Sequence, residues 1–328
     1  MSLRYLSAAD VLAAMPPLDE RLTLAERTMV ALVADAELPP KIAVHPRPDG
    51  SFGHAMPALL RGAEPDGRGD LLGLKWIAGF PANRARGLPA LHGVVLLVDP
   101  LTGVPAAILD AGPITAARTA AVSGVAIARF ARRDTGRVAR AALIGAGVQG
   151  HSHLGVMGRV LPGVELMVFD RHADRAEALC QAARETEGIA SATVALEARE
   201  ATLGADVVVT AASFGPVRQV MTSEWLRDDA LVVPVDYATY CSADVARDAA
   251  LFLVDERAQF LANRDAGAFD GYPDPSATIG EAIVNRIERP AGGRVVVTHL
   301  GVGLADLVFG DAIVRRAADA GIGTVLED

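Results

Sequence analysis

The stretch Val138-Ala139-Arg140-Ala141-Ala142-Leu143-Ile144-Gly145-Ala146-Gly147-Val148-Gln149-Gly150 decides the fold. An apolar run of strand length enters a complete G-x-G-x-x-G, and helical spacing follows, so the glycines stand at a strand-to-helix turn. Gly145 permits the tight turn, Gly147 lets backbone approach a pyrophosphate, and Gly150 allows close helix-to-strand packing. The first N–H groups of the helix, from Ala146, Val148 and Gln149 onward, would face the phosphates. A Gly-rich turn that binds nothing has the same pattern; the next acidic residue separates the two. Asp170 ends the run Glu165 to Phe169, 25 positions after Gly145. A carboxylate there accepts hydrogen bonds from ribose hydroxyls and repels a 2′-phosphate, which favours NAD. Arg171 beside it would accommodate NADP if Asp170 turned away, and the alternative role for Asp170 is a strand-end cap.

Downstream of this turn, strands and helices alternate. Val138 to Ile144, Val164 to Phe169, Thr193 to Leu196, Val207 to Ala211, Leu231 to Val235 and Leu251 to Val254 read as strands of a parallel sheet, with Arg294 to His299 as a further run. Upstream, helical spacing over Asp10 to Met15 and Arg21 to Ala36 gives way at Pro39-Pro40 to short runs: Ile42 to His45, Phe52 to Leu60, Leu71 to Gly79 and His92 to Val98. Pro48-Asp49-Gly50 and Asp99 to Gly103 are turn signals, and Val104 to Leu109 pairs back, so an antiparallel sheet is predicted. An Ala-rich helix over Thr115 to Arg133 closes at Asp134-Thr135-Gly136, and Leu304 to Ala318 is a helix able to return to the first unit. The fold class is therefore α/β: a Rossmann-type doubly wound parallel sheet over 119–299, plus a smaller α+β domain split between 1–118 and 300–328.

Composition bounds the partners. The 328 residues are 51% hydrophobic and 22% charged, with 32 Gly and 19 Pro dispersed along the chain, which excludes a disordered or fibrous protein. A net charge of −9 argues against nucleic acid and anionic membrane, both of which need a basic face. Apolar stretches such as Val94 to Val98 are far short of the roughly 18 to 20 residues that span a bilayer. Cys180 and Cys241 make neither a disulfide framework nor a thiolate metal site, so no metal is expected. The first 30 residues lack a signal-peptide pattern, and the expectation is a cytoplasmic protein.

Three cations are odd for their surroundings: Lys41 on the first predicted strand, Lys75 inside Leu71 to Gly79, and Arg118 on the Ala-rich helix. A lysine within Leu-Leu-Gly-Leu-Lys75-Trp-Ile-Ala-Gly is costly to bury unless an anion meets it. A solvated strand face or internal salt bridge competes with a substrate-carboxylate clamp. Asp236, after Val232-Val233-Pro234-Val235, lies at the carboxyl edge of a parallel strand, where doubly wound sheets place ligands; a simple cap is the other possibility. His151 and His153, at i and i+2, point to different helix faces and read as structural, and Arg132, Arg133, Arg137 and Arg140 read as a solvated helix end and loop. Tyr237, Tyr240 and His299 stand either as packed residues or as the wall of a specificity pocket.

Together with Lys75, the segments Phe80 to Pro89, Asp99 with Thr102-Gly103, Ile114-Thr115-Ala116-Ala117-Arg118-Thr119-Ala120-Ala121, Ile144 to Gln149 and Gly301-Val302-Gly303-Leu304-Ala305-Asp306 resemble the ornithine cyclodeaminase and mu-crystallin family in order and spacing. The resemblance implies a homodimer whose split domain binds substrate and dimerises. It implies an NAD(P)-dependent oxidoreductase acting on a small amino or imino acid, by imine reduction, amino-acid dehydrogenation or cyclodeamination. Lys41, Lys75 and Arg118 match the positions that hold the substrate carboxylate, and Asp236 the one that handles protons and water; in the expected mechanism Lys75 or Asp236 moves protons at the nitrogen or activates water. The family also includes mu-crystallin-type proteins that bind dinucleotide and ligand with little or no turnover. A hydroxy-acid oxidoreductase is a third reading of the same fold. The chain departs from the family pattern at Lys41, where Arg is common, at Val233-Pro234-Val235, where glycines are common, and at Thr298-His299-Leu300, where Phe-Lys-Ser is frequent.

Overall fold

The structure is a computed structural model that describes residues 2–327 apart from Asp49, 63–66, Arg68, 133–137, 214–217 and the Arg84 side chain. The Asp134-Thr135-Gly136 stop, Arg133, Arg137 and the centre of the Pro48-Asp49-Gly50 turn lie outside the described residues. In chain order the elements are β1 (Ser2–Leu6), α1 (Ala8–Ala13), α2 (Leu18–Ala31), β2 (Ala36–Glu37), β3 (Ile42–Val44), β4 (Phe52–Leu60), β5 (Leu71–Gly79), β6 (Leu91–Val98), β7 (Pro105–Asp110) and α3 (Ala111–Phe130). Then follow β8 (Arg140–Ile144), α4 (Val148–Val160), β9 (Val164–Phe169), α5 (Ala173–Arg184), β10 (Ile189–Val194), α6 (Ala198–Thr202), β11 (Val207–Thr210) and β12 (Leu231–Pro234). The last are α7 (Ala243–Arg247), β13 (Leu251–Val254), α8 (Arg257–Asp265), β14 (Ala277–Thr278), α9 (Ile279–Val284), β15 (Val295–Thr298), α10 (Gly303–Asp319) and β16 (Thr324–Glu327). No helix of the described residues is long and apolar enough to cross a membrane.

The chain divides into two compact units, Met1–Arg118 with Gly301–Asp328, and Thr119–Leu300. In the first, the sheet runs β16-β1-β7-β6-β5-β4-β2, with β3 also on β4; the pairing is antiparallel except for β1 on β7. Side chains alternate across the pleat, so Met56, Lys75, Val95 and Leu109 share one face. Helix α10 covers that face at close range: a Cβ on Gly303 would meet the Met56 carbonyl at 2.5 Å, and Gly310 lies over Val95 and Leu97. The opposite face presents Ala55, Leu74, Trp76, Val94 and Leu96, flanked by Ile42 and Val44. It is apolar, yet Trp76 is 40% exposed and Ile42 62%.

The second unit is the doubly wound sheet, ordered β10-β9-β8-β11-β12-β15-β13-β14 and parallel throughout. Strands such as Val207–Thr210 and Val295–Thr298 are buried along their whole length, as a sheet covered on both sides requires.

Several boundaries differ from the sequence reading. Helix α3 starts at Ala111, because the Asp110 side chain accepts the Gly112 N–H at 2.8 Å and Pro113, in the first turn, lacks only an N–H that would have had no helical partner. The third parallel strand is β10, a few residues before Thr193 to Leu196, set off by Gly188 at φ +84°. Helix α2 ends at Ala31, and Ala36 begins a short strand paired with Leu60. Strands β1 and β16, which the sequence reading lacked, carry mixed polar and apolar residues without a run long enough to stand out.

Candidate active site

Within the first unit, Lys75 is the largest fully buried side chain. Its position in the middle of β5, paired with Met56 and Val95, leaves the ammonium no route to solvent. It donates to Thr115 Oγ1 at 2.7 Å and to Asp306 Oδ1 at 2.9 Å. Asp306 is wholly buried in the first turn of α10, where the helix dipole favours an anion. Arg118 Nε also donates to Asp306 Oδ1, at 3.3 Å. The guanidinium lies against Gly301, whose φ is +79°; a Cβ there would stand 2.2 Å from Nη1. Burial brings the Lys75 pKa down to about 8; Asp306 opposes the shift, and the like charges of Arg118 and Lys41 add to it. Two buried cations thus share one carboxylate, leaving a surplus positive charge.

Lys41 is not on a strand: it directly precedes β3 and is partly buried. The β3–β4 register puts Ala43 opposite His54, so the chain at Lys41 runs beside the Met56–Lys75 row. His54, which the sequence reading did not single out, shares the Lys75 face and stacks on Phe52 with ring centroids 4.5 Å apart. Burial, then the charges of Lys41, His45 and Lys75, lower its pKa to about 4, so the ring is neutral at physiological pH. Asp306 and Thr115 were quoted in sequence motifs but given no role. An Asp in the first turn of the otherwise apolar Gly303–Phe309 segment was the available signal.

Within the second unit, Gly145 has φ +106°, and a Cβ on it would meet the Ala211 carbonyl at 2.5 Å. A Cβ on Gly150 would lie 2.2 Å from the Gly145 carbonyl, whereas nothing lies within 4 Å of one on Gly147. The turn is closed behind and open in front. Gly147 is the N-cap of α4 and brings no side chain to the first N–H groups; Val148 is 73% exposed and Gln149 partly buried. Open backbone donors at a glycine turn fit a dinucleotide pyrophosphate. Asp170 accepts the Ala146 N–H at 2.8 Å and the His172 N–H at 2.9 Å, bracing the turn, while Arg171 is exposed and donates to His172.

Asp236, two residues past β12, is 2% exposed. It accepts from Thr210 Oγ1 at 2.8 Å and from the Ala212 N–H at 2.9 Å. Burial outweighs these bonds and pushes its pKa up to about 7. Tyr237 follows in the left-handed region at φ 58°, stacked on Phe269. Half-buried Tyr240 feels the charges of both Asp236 and Asp170, and His299 is buried. His151 is exposed and His153 buried; Arg132 pairs with Asp229 and Arg140 with partly buried Glu165. Burial raises Cys180 to about 11 and Cys241 to about 12, leaving both as inert thiols.

Fold and site together define a two-unit α/β protein with a dinucleotide-type turn and a buried cation pair. The chain belongs to the ornithine cyclodeaminase/mu-crystallin family, whose model matches residues 9–303. It is 35% identical to the nodulation efficiency protein NfeD of Rhizobium meliloti, over 98% of each chain. Among solved structures, Δ1-pyrroline-2-carboxylate reductase of Thermococcus litoralis, in complex with NADH and L-proline, superposes with a TM-score of 0.84 at 23% identity, covering 98% of this chain and 99% of that one. An archaeal alanine dehydrogenase dimer with bound NAD gives the same TM-score at 24% identity, covering 100% and 99%.

Proposed function

We propose that the protein is an NAD-dependent oxidoreductase that interconverts a small amino acid and its imine. The observation that carries this reading is the surplus positive charge buried around Asp306: Lys75 and Arg118 share one carboxylate, and a second, supplied by a ligand, neutralises the pair. Lys41 adds attraction for the same anion. The reductase and the dehydrogenase that share the fold act on such carboxylates by name, which supports the assignment.

A bound nicotinamide dinucleotide supplies the hydride acceptor or donor. The open glycine turn receives its pyrophosphate, Gly145, Gly147 and Gly150 giving backbone clearance and the Gly147 to Gln149 segment the N–H groups, while Ala146 has its own N–H committed to Asp170. Asp170 supports that turn and faces the ribose, with Arg171 at its side; the carboxylate favours NAD over NADP. Lys75 and Arg118 fix the substrate carboxylate, which sets the reacting carbon at one place and supplies the proximity that transfer needs. Asp236 holds or releases a proton at its carboxyl oxygens. With a pKa about 7 it is populated in both states at neutral pH, as a group that protonates nitrogen or activates water must be. Cyclodeamination uses the same parts without net consumption of the cofactor. We further propose that the apolar sheet face around Trp76 and Val94 joins two copies into a homodimer.

Purified protein is to be assayed with NADH plus cyclic ketimines, or plus 2-oxo acids and ammonia, and separately with NAD plus ornithine, lysine, proline or alanine. Oxidation of NADH by at least one imino acid is expected. Saturable NADH binding with no turnover on the whole panel overturns the oxidoreductase reading and leaves a ligand-binding protein; turnover of 2-oxo acids without ammonia indicates hydroxy-acid chemistry.

A further inference from the structure

Besides the proposed proton-handling Asp236, three polar side chains are buried inside the second unit and joined through one hydroxyl. His153 on α4, Ser123 on α3 and His299 just past β15 are at most 3% exposed. Ser123 Oγ lies 2.9 Å from His153 Nε2 and 2.9 Å from His299 Nε2, and His153 Nδ1 lies 2.6 Å from the Gln149 carbonyl.

The donors can be ordered. A carbonyl only accepts, so His153 Nδ1 carries the proton. Burial lowers the His153 pKa to about 4, so the ring is neutral and Nε2 accepts the Ser123 hydroxyl proton. With that proton committed, Ser123 Oγ accepts from His299 Nε2–H. One directional chain therefore runs from His299 through Ser123 and His153 to the Gln149 carbonyl, which also receives the Ser152 hydroxyl at 2.9 Å. Gln149 belongs to the glycine turn, and His299 stands at the carboxyl end of a parallel strand, the edge where such sheets place ligands. Three apolar side chains would fill this volume without needing matched partners, so what the polar chain adds is a fixed position for its ends.

We propose that Ser123, His153 and His299 are positioning residues for the dinucleotide, holding the first turn of α4 in register with the end of β15. This rests on the reading that the glycine turn binds a nicotinamide dinucleotide. The test measures NADH affinity directly, by NADH fluorescence, on Ser123→Ala, His299→Ala and His299→Gln, together with steady-state rates at saturating NADH. The alanine variants are expected to raise the NADH Kd at least tenfold while kcat at saturation and the substrate KM stay within about threefold. His299→Gln, which keeps an N–H for Ser123, restores most of the affinity. Folded alanine variants with an NADH Kd within twofold of the parent overturn the proposal, as does a Gln variant no better than Ala. A parent that binds neither NADH nor NADPH overturns the function and this inference together. Should the alanine variants not fold, ring-nitrogen NMR of the parent decides. Protonated His153 Nδ1 and His299 Nε2, both shifting when NADH binds, are expected, and the opposite tautomers, or no shift, refute it.

Discussion

At Lys75 the arithmetic of charge separates binding from stability. Lys75→Met leaves Arg118 and Asp306 as a neutral pair, so the fold should persist with an unchanged or higher Tm while kcat/KM falls at least 100-fold, about 3 kcal/mol of lost transition-state binding. Asp306→Asn does the reverse. It leaves two buried cations unmatched and should cost about 3–5 kcal/mol in urea unfolding, partly recovered by a carboxylate ligand. The same groups set the pH response. Under the proposed function, amine oxidation needs Asp236 unprotonated and Lys75 charged, so kcat/KM in that direction should rise through about pH 7 and fall above about pH 8. Imine reduction needs the protonated acid, so its kcat/KM should be flat at lower pH and fall through the same region. An oxidation profile without the limb near 7 would remove Asp236 from proton handling.

Helix α10 is the element on which the first unit turns, since it carries Asp306 and lies directly on β4 through Gly303. Gly303→Val would drive a branched side chain into the Met56 carbonyl and should lower stability by about 3 kcal/mol, read as a shifted urea midpoint. The elements were unequally legible in the sequence. Val164 to Phe169 and Leu251 to Val254 are short, largely apolar runs bounded by turn residues, and their ends fall where the sequence pattern places them. The start of α3 was hidden because Gly112-Pro113 reads as a break, whereas in the first turn the missing N–H costs nothing. Lys75 was legible as a cation in an apolar strand. Its counter-ion was not, because Asp306 lies 231 residues away and only tertiary packing joins them. His54 escaped because one imidazole in an alternating strand looks like an ordinary solvated position.

At the scale of the molecule, two properties can be checked without knowing the substrate. Asp236 is neutral in both folded and unfolded chains below its ordinary value of 3.8. As the pH rises from there to about 7, the unfolded chain ionises and the folded one resists, so stability is lost over that window, on the order of 4 kcal/mol. Asp236→Asn should therefore gain stability over the parent between pH 4 and 7 in paired unfolding curves, and lose activity. The apolar sheet face gives the second: light scattering should show a dimer, and Trp76→Asp should convert it to monomer with the fold retained. The split first unit also bears on how the protein is made. Strands β1 to β7 leave the ribosome early, but α10 and β16 follow only after the whole central unit, a wait of roughly 10–40 s at 5–20 residues per second. Throughout that interval the nascent sheet has an unneutralised lysine at its centre and no α10 over it, so the young chain's first third is the part that chaperones must shelter.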